Sequence, residues 1–300
     1  MPVYLKLDVS RMSKIGAFFR LTRVEHNLLL IVAVLVGELI AGGLPVLPVL
    51  ILSLAAPVFI SMSSFAINDY FDVESDRANK RRDRPIVSGE ISKNGALGIS
   101  VACMIIGIGA ALFINVYALA IALIFGALAI LYSYRLKDVL LLGNVYIAFT
   151  YGIAFVFGNL VVTKVLLPGI IAIFFMTFLA GLAREIHGMI RDYRGDVRGR
   201  RTRNLVHYTG KKRSAQIAFI LYLESVLITI FMFFFIQPFR FNAYFALPVA
   251  VGDILAIYVA VVCVLRSDTG TFNFTRNLTL LGMGITTVGY LLAPLLFLAV

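Results

Sequence analysis

The sequence predicts an all-α, polytopic membrane protein in which nine transmembrane helices surround a central apolar chamber. Of its 300 residues, 60% are hydrophobic and only 14% are charged, whereas about a quarter of the residues in a soluble domain are charged. The apolar residues form blocks of about 20, which match the thickness of a bilayer. Many of the charges fall in two polar loops, residues 69–94 and 184–213, which we expect on the inner face of the membrane.

Nine apolar spans can be placed along the chain. Segments of this length are expected to be helical, because lipid offers no partners for open backbone groups. The spans cover roughly residues 25–44, 47–68, 95–115, 117–134, 139–162, 165–186, 214–236, 243–265 and 277–299.

The distribution of basic residues supports this placement of the spans across the membrane. With the N-terminus inside, all but two of the 27 lysines and arginines fall on the inner face, and only Lys164 and Arg240 fall outside. The positive-inside rule predicts this asymmetry. We therefore expect a multi-pass protein of the cell membrane whose N-terminus and active site face the cytoplasm.

The chain is predicted to form a single membrane-embedded domain, residues 1–300. Residues 1–23 carry several cations but no short apolar core before a cleavage site, so we expect an interfacial helix rather than a signal peptide. A weak internal duplication relates about residues 24–135 to 139–265, because each half has one polar inner loop. No soluble domain is visible in the sequence, and no nucleic-acid partner is expected.

Acidic residues are concentrated at the start of the first polar loop, in NDYFDVESD (68–76). On a helix leaving the second span, Asp69, Asp72 and Asp76 lie within roughly 60° of one another, with Asn68 at the edge of the same face. Three carboxylates on one stripe repel one another unless a cation binds them. Because an oxygen-only ligand set suits Mg²⁺, the stripe predicts a magnesium site.

The second polar loop contains a matching acidic pair in REIHGMIRDYRGD (184–196). Asp192 and Asp196 are four residues apart and therefore share one helical face. We expect the two clusters to face each other, so that Mg²⁺ would link them to a diphosphate. Taken alone, the second pair is more typical of a solvated loop than of a site.

Cations follow the first acidic cluster directly. Arg81 and Arg84 are suited to bidentate contacts with phosphate oxygens, whereas Lys137, in the short inner loop YSYRLKD, offers a point charge. An alternative reading of these basic residues is that they only set the topology of the inner loops.

Several motifs resemble those of the UbiA superfamily of intramembrane prenyltransferases, and the resemblance extends over nearly the whole chain. RLTRVEHN (20–27) lies where the family has an Arg and an Asn at the start of its first helix. NDYFDVESD and RRDRPIVSG match Asn-Asp-x-x-Asp-x-x-x-Asp and Arg-x-x-Arg-Pro, with a following Ser-Gly. LYSYRLK (131–137) resembles Tyr-Ser-x-x-Leu-Lys, and RDYRGD (191–196) supplies a second Asp-x-x-x-Asp.

The resemblance implies Mg²⁺-dependent transfer of a prenyl group from an isoprenyl diphosphate, expected to be geranylgeranyl diphosphate, to an acceptor within the bilayer. Asn68 and Asp69 would assist, and cations would draw charge from the diphosphate as it leaves. A tyrosine, with Tyr132, Tyr134 and Tyr193 as candidates, would stabilise the allylic cation, although packing is the alternative role. The expected catalytic residues are Asp72, Asp76, Asp192, Asp196 and Lys137. The same four aspartates, together with Asp69, are the expected metal ligands. Arg81, Arg84 and Lys137 are expected to contact the diphosphate.

The shared motifs do not fix the acceptor. Residues 183–212 resemble the archaeal ether-lipid branch of the family, whose acceptor is geranylgeranylglyceryl phosphate, and their many cations suit an acceptor that carries a phosphate. Arg20 and Arg23 are our candidates for binding its anionic head, with a topology role as the alternative, and His187 is either a base or a neighbour of the site. An aromatic acceptor, such as 4-hydroxybenzoate or a naphthoate, is the second hypothesis. A transporter is a remote third, based on the in-membrane acids Glu38, Glu224 and Asp253.

Overall fold

The computed structural model describes residues 14–199, 204–266 and 269–297, without the side chains of residues 25, 194–199, 269 and 296–297. Every regular element in these ranges is a helix, and short 3₁₀ turns occur at Val24–His26 and Leu136–Asp138. The α-helices are α1 (Lys14–Thr22), α2 (Asn27–Ile40), α3 (Leu47–Ala78), α4 (Pro85–Ser88), α5 (Lys93–Leu112), α6 (Val116–Tyr134), α7 (Leu142–Val162), α8 (Pro168–Gly199), α9 (Leu205–Phe235), α10 (Ala243–Leu265) and α11 (Thr269–Phe297).

Eight of the described helices, α3 and α5 to α11, are long and apolar enough to cross a membrane. A ninth apolar helix, α2, corresponds to the first predicted span but has 14 residues, or about 21 Å at 1.5 Å per residue. It is shorter than predicted because a 3₁₀ turn precedes it and the chain leaves the helix after Ile40. The predicted class, an all-α polytopic membrane protein, is confirmed.

Helices α3 and α8 continue beyond their apolar parts, and each has 32 residues. The first polar loop therefore begins as a helix, because α3 runs without a break through the acidic segment to Ala78. Asp69, Asp72 and Asp76 lie on this extension, as the helical placement of residues 68–76 predicts. The extension of α8 carries Asp192.

Close backbone contact fixes α2 against α7. A Cβ atom built on Gly158 would lie 2.1 Å from the carbonyl oxygen of Val34, and one built on Gly37 would lie 2.3 Å from that of Phe155. Only glycine fits at both positions, because backbone atoms cannot move away as a flexible side chain can. The contact holds the second half of α2 against α7 within the helical bundle.

The acidic segments lie at one end of the bundle, which we call the polar end. Helices α3, α6, α8 and α10 end there, and α2, α5, α7, α9 and α11 begin there. Apart from glycine, four described residues have a positive φ, and three of them lie at this end: Arg23, Lys80 and Leu141. Backbone strain of this kind, about 1–3 kcal/mol per residue, is concentrated at functional sites.

Candidate active site

A buried carboxylate, Asp69, lies at the centre of the first acidic cluster. Its Oδ1 accepts hydrogen bonds from Arg23 Nη2 at 3.0 Å and from Arg84 Nη1 at 3.2 Å. Its Oδ2 is also buried but has no hydrogen-bond partner. Two cations therefore compensate this carboxylate, whose side chain is only 1% exposed.

The local backbone explains why both arginines reach Asp69. Arg23 adopts a left-handed conformation, with φ 46°, at the break between α1 and α2, and its guanidinium lies 4.6 Å from the centre of the Phe65 ring. Arg84 precedes Pro85, which favours an extended conformation at the preceding residue, and its φ of −84° and ψ of 125° agree. The sequence Arg-Pro thus directs Arg84 back toward α3.

The same cluster includes a second carboxylate, Asp76. Arg84 Nε lies 3.7 Å from Asp76 Oδ2, so that one guanidinium faces two acids of the stripe. Burial lowers the pKa of Arg23, and the charge of Arg84 lowers it further, whereas Asp69 acts in the opposite direction. Because the two arginines repel each other, the carboxylates between them hold the cluster together.

Asp72, the third acid of the stripe, contacts Lys137 in the loop between α6 and α7. Both side chains are largely buried. Tight packing fixes this loop, because a Cβ atom on Gly143 would lie 2.9 Å from Lys137 Cα and 3.0 Å from the Leu136 carbonyl oxygen. The repulsion within the acidic stripe is thus relieved in this structure by three cations.

Lys137 also lines a cavity of about 430 Å³ at the polar end. Its walls come from the α6–α7 loop with the start of α7, from the polar end of α8, and from the first turns of α11. Since Lys137 contacts Asp72 and lines the same cavity as Asp192, it connects the two acidic segments. The charged and polar lining residues include Tyr132, Lys137, Asn144, Arg184, Glu185, His187, Arg191, Asp192 and Arg276.

The α8 wall of the cavity is a network of paired charges. Arg191 donates from Nε and Nη2 to the two carboxylate oxygens of Asp192, at 2.8 and 2.6 Å. Glu185 accepts a hydrogen bond of 3.3 Å from Asn144 Nδ2 and lies 3.7 Å from Arg184 Nη1. Arg184 donates in turn to the hydroxyl of Tyr151 at 2.9 Å. Asp192 keeps half of its side chain exposed and is the accessible acid of this wall.

Other predicted site residues lie away from this cavity. Arg81 is exposed and donates to both oxygens of Asp83, which lowers the pKa of Asp83 to about 2. Arg20 forms an ion pair with Glu90. Tyr134 is exposed and contacts Phe71.

The remaining candidates differ in position. Tyr132 lines the cavity and packs on Tyr146, with 5.1 Å between ring centres. Asn68 is half-buried on α3. Tyr193 is half-buried near the ring of His207. The side chain of Asp196 lies outside those that the structure describes.

Asn144 and Arg276 are among the polar residues of the cavity that motif reasoning missed. Asn144 lies in an apolar span and gives no pattern that distinguishes it from a packing residue. Arg276 offers a weak signal, because it is a single cation at the edge of the last apolar segment, and ionisable residues within membrane helices usually face a cavity or the bundle interior.

An acidic stripe and a cation-rich cavity at one end of an all-helical bundle define a multi-pass membrane protein whose polar end has the charges to attract an anion. Comparison with known proteins then gives the family: residues 30–299 match the UbiA prenyltransferase family. A digeranylgeranylglyceryl phosphate synthase from Archaeoglobus fulgidus is 37% identical over 275 residues, 91% of this chain and 94% of the relative. The chain belongs to the UbiA prenyltransferase family and is an enzyme.

Solved structures agree with this assignment. A structure from a study of digeranylgeranylglyceryl phosphate synthase in membranes has a TM-score of 0.78 and 27% identity, covering 94% of this chain and 99% of that one. A UbiA homologue from Archaeoglobus fulgidus, bound to DMAPP and Mg²⁺, has a TM-score of 0.69 and 22% identity, covering 94% and 99%. The second likeness establishes the fold alone.

Proposed function

We propose that this enzyme transfers a geranylgeranyl group from its diphosphate to the free hydroxyl of geranylgeranylglyceryl phosphate, a step of archaeal ether-lipid synthesis. One observation carries the proposal: Lys137 contacts Asp72 on α3 and lines the cavity that contains Asp192. A diphosphate in this cavity would therefore lie beside both acidic segments. The name of the Archaeoglobus fulgidus relative, which covers nearly the whole chain, supports the choice of acceptor.

The residues present fit a magnesium ion that is shared with the substrate. Asp72, Asp76 and Asp192 supply carboxylate oxygens, the ligands that Mg²⁺ prefers. Among the residues that the structure describes, no three acids, histidines or cysteines are grouped closely enough to hold a metal alone. This agrees with the usual mode of Mg²⁺ binding, in which a few carboxylates act together with substrate phosphates and water. Once bound, the ion would neutralise charge on the departing diphosphate.

The individual acids have different tasks in this proposal. Asp69 is buried and carries two arginine contacts on one oxygen, so its task is to hold Arg23 and Arg84 in place. Asp72 and Asp192 are less buried and border Lys137 or the cavity, so they are the metal ligands we favour. Asp196 lies one helical turn beyond Asp192 on the same helix and is proposed as a further ligand.

The chain's own cations assist departure of the diphosphate. Lys137 presents an ammonium group to the cavity, where the diphosphate would compete with Asp72 for it. Fixed positive charge is most effective where it is already in place before negative charge develops. Tyr132 borders the same cavity, and the face of its ring is our candidate for stabilising the allylic cation.

The membrane setting follows from the substrates. A C20 chain gains about 0.8 kcal/mol for each CH₂ group buried in lipid, so both donor and acceptor reside in the bilayer. We place the protein in the cell membrane with its polar end toward the cytoplasm, because the basic residues are concentrated there.

An acceptor panel tests the proposal. The purified protein is incubated with Mg²⁺, radiolabelled geranylgeranyl diphosphate and either geranylgeranylglyceryl phosphate, 4-hydroxybenzoate or a naphthoate, and the labelled product is extracted and identified. We expect label in the glyceryl phosphate product only. Label in an aromatic product and none in the glyceryl phosphate would refute the proposed acceptor.

A further inference from the structure

One cation of the cavity has no ion-pair partner within the described part of the chain. Four lysine or arginine side chains line the cavity: Lys137, Arg184, Arg191 and Arg276. Lys137 contacts Asp72, Arg184 lies near Glu185, and Arg191 contacts Asp192. Among the described residues, none lies within salt-bridge or hydrogen-bond distance of the Arg276 side chain.

Arg276 belongs to a face of α11 that borders the cavity. Phe272, Thr275, Arg276 and Thr279 are spaced as i, i+3, i+4 and i+7, so that they share one helical face, and all four line the cavity. The hydroxyls of Thr275 and Thr279 donate to carbonyl oxygens of their own helix, at 2.9 and 2.8 Å. Arg276 is therefore the charged donor that this wall offers to a ligand.

Arg276 lies near the polar end of α11, and its side chain is exposed and so accessible to a ligand. It lies within a helix segment that is long and apolar enough to cross a membrane, Gly270–Leu295. Ionisable residues in such segments usually pair with other groups and commonly mark binding sites. A bound anion would be the charge partner that Arg276 lacks among the described residues.

His187 provides a second, independent sign of a ligand at this wall. Its side chain lines the cavity and is 7% exposed, and its Nε2 atom is buried without a hydrogen-bond partner. The ring is held between Tyr222 and Phe272, with centre-to-centre distances of 5.6 and 5.5 Å. Buried polar atoms without a partner are rare in folded proteins, so a polar ligand group is expected beside Phe272 on α11.

We infer that the α11 wall is the binding site for the acceptor's phosphate and that Arg276 contacts this phosphate directly. The inference rests on the proposed function, and it gives the two anionic groups of the reaction separate places. The donor diphosphate lies at Lys137 and the acidic segments, and the acceptor phosphate lies at α11. Arg276 takes the role predicted for Arg20 and Arg23, which are engaged with Glu90 and Asp69.

Steady-state kinetics of the full-length protein in lipid vesicles, with Arg276→Gln and Arg276→Lys, test this inference. The acceptors are geranylgeranylglyceryl phosphate and its dephosphorylated alcohol. Arg266→Gln is the matched control, because Arg266 is an exposed arginine at the polar end that does not line the cavity. For Arg276→Gln, we expect the KM for the phosphorylated acceptor to rise about tenfold or more, since a charge-assisted contact is lost. The KM for the alcohol and for the donor should not change, and Arg276→Lys should be intermediate.

The possible outcomes are distinct. If Arg276→Gln retains the wild-type KM for the phosphorylated acceptor while transfer continues, Arg276 does not bind the phosphate, and the proposed function stands. An equal rise in KM for the phosphorylated acceptor and for the alcohol would also overturn the inference, because the effect would not depend on the phosphate. If the wild-type protein does not prenylate the glyceryl phosphate, the proposed function fails and the inference fails with it.

Discussion

Lys137 contacts Asp72 across 65 positions of sequence, from the α6–α7 loop to the polar end of α3. The contact joins the helix that carries the first acidic segment to the cavity that contains the second. A substrate diphosphate that enters this cavity would compete with Asp72 for the ammonium group and offer oxygens to a metal held by the released carboxylate. The pair thus keeps both groups in place until the substrate arrives.

Replacing Asp72 with alanine should lower prenyl transfer by at least about 100-fold, because the transition state loses a main source of charge stabilisation. The rate is measured with saturating Mg²⁺, and the thermal unfolding midpoint confirms that the variant folds. Glu74→Ala is the control, because Glu74 lies on the exposed face of the same helix. Near-wild-type transfer by Asp72→Ala would rule out Asp72 as a metal ligand.

Replacing Lys137 with alanine should weaken binding of the donor. The loss of one charge-assisted contact predicts an increase of about tenfold or more in the Kd for geranylgeranyl diphosphate. Binding is measured with radiolabelled donor and the purified protein, and Arg135→Ala, an exposed cation two residues away, is the control. An unchanged donor affinity would remove Lys137 from the site.

Arg84→Ala should destabilise the protein. The substitution removes one of the two cations at Asp69 and the cation facing Asp76, which leaves buried negative charge and costs about 1–3 kcal/mol. The thermal unfolding midpoint in detergent should fall, whereas the exposed Arg82→Ala should not change it. If Arg84→Ala unfolds at the wild-type temperature, the cluster around Asp69 does not contribute to stability.

Removal of divalent metal should stop the reaction without unfolding the protein. Transfer is assayed after treatment with EDTA and again after excess Mg²⁺ is added, and full recovery is expected. The carboxylates of α3 would keep Arg23, Arg84 and Lys137 as their cations, so the helical content should stay constant by circular dichroism. Transfer at the untreated rate in EDTA would contradict the metal-dependent mechanism.

The sequence allowed accurate prediction of features that depend on local periodicity. Apolar blocks predicted the helices, and helical spacing predicted that Asp69, Asp72 and Asp76 share the extension of α3. The contacts of those acids were not predictable, because Arg23 lies 46 residues from Asp69 and Lys137 lies 65 residues from Asp72. Such pairs depend on how helices pack, which no local pattern specifies.

The roles of individual cations were also hard to predict, because their contacts depend on how the chain packs. Arg81 and Arg84 were predicted to have the same role, yet Arg81 pairs with Asp83 whereas Arg84 reaches α3. The difference comes from Pro85, which orients only the residue before it. Arg276 has no neighbouring motif, and its place in the cavity becomes evident only when α11 is packed beside α8.

The unbroken course of α3 has a consequence for how products separate. Its 32 residues extend about 48 Å, roughly 18 Å more than the hydrocarbon core of a bilayer. Helix α3 thus carries its carboxylates into the headgroup region while its other end remains among acyl chains. Released pyrophosphate can diffuse into water at the polar end, and the two-tailed ether product can leave sideways into the lipid. Neither product then has to pass through the medium that receives the other.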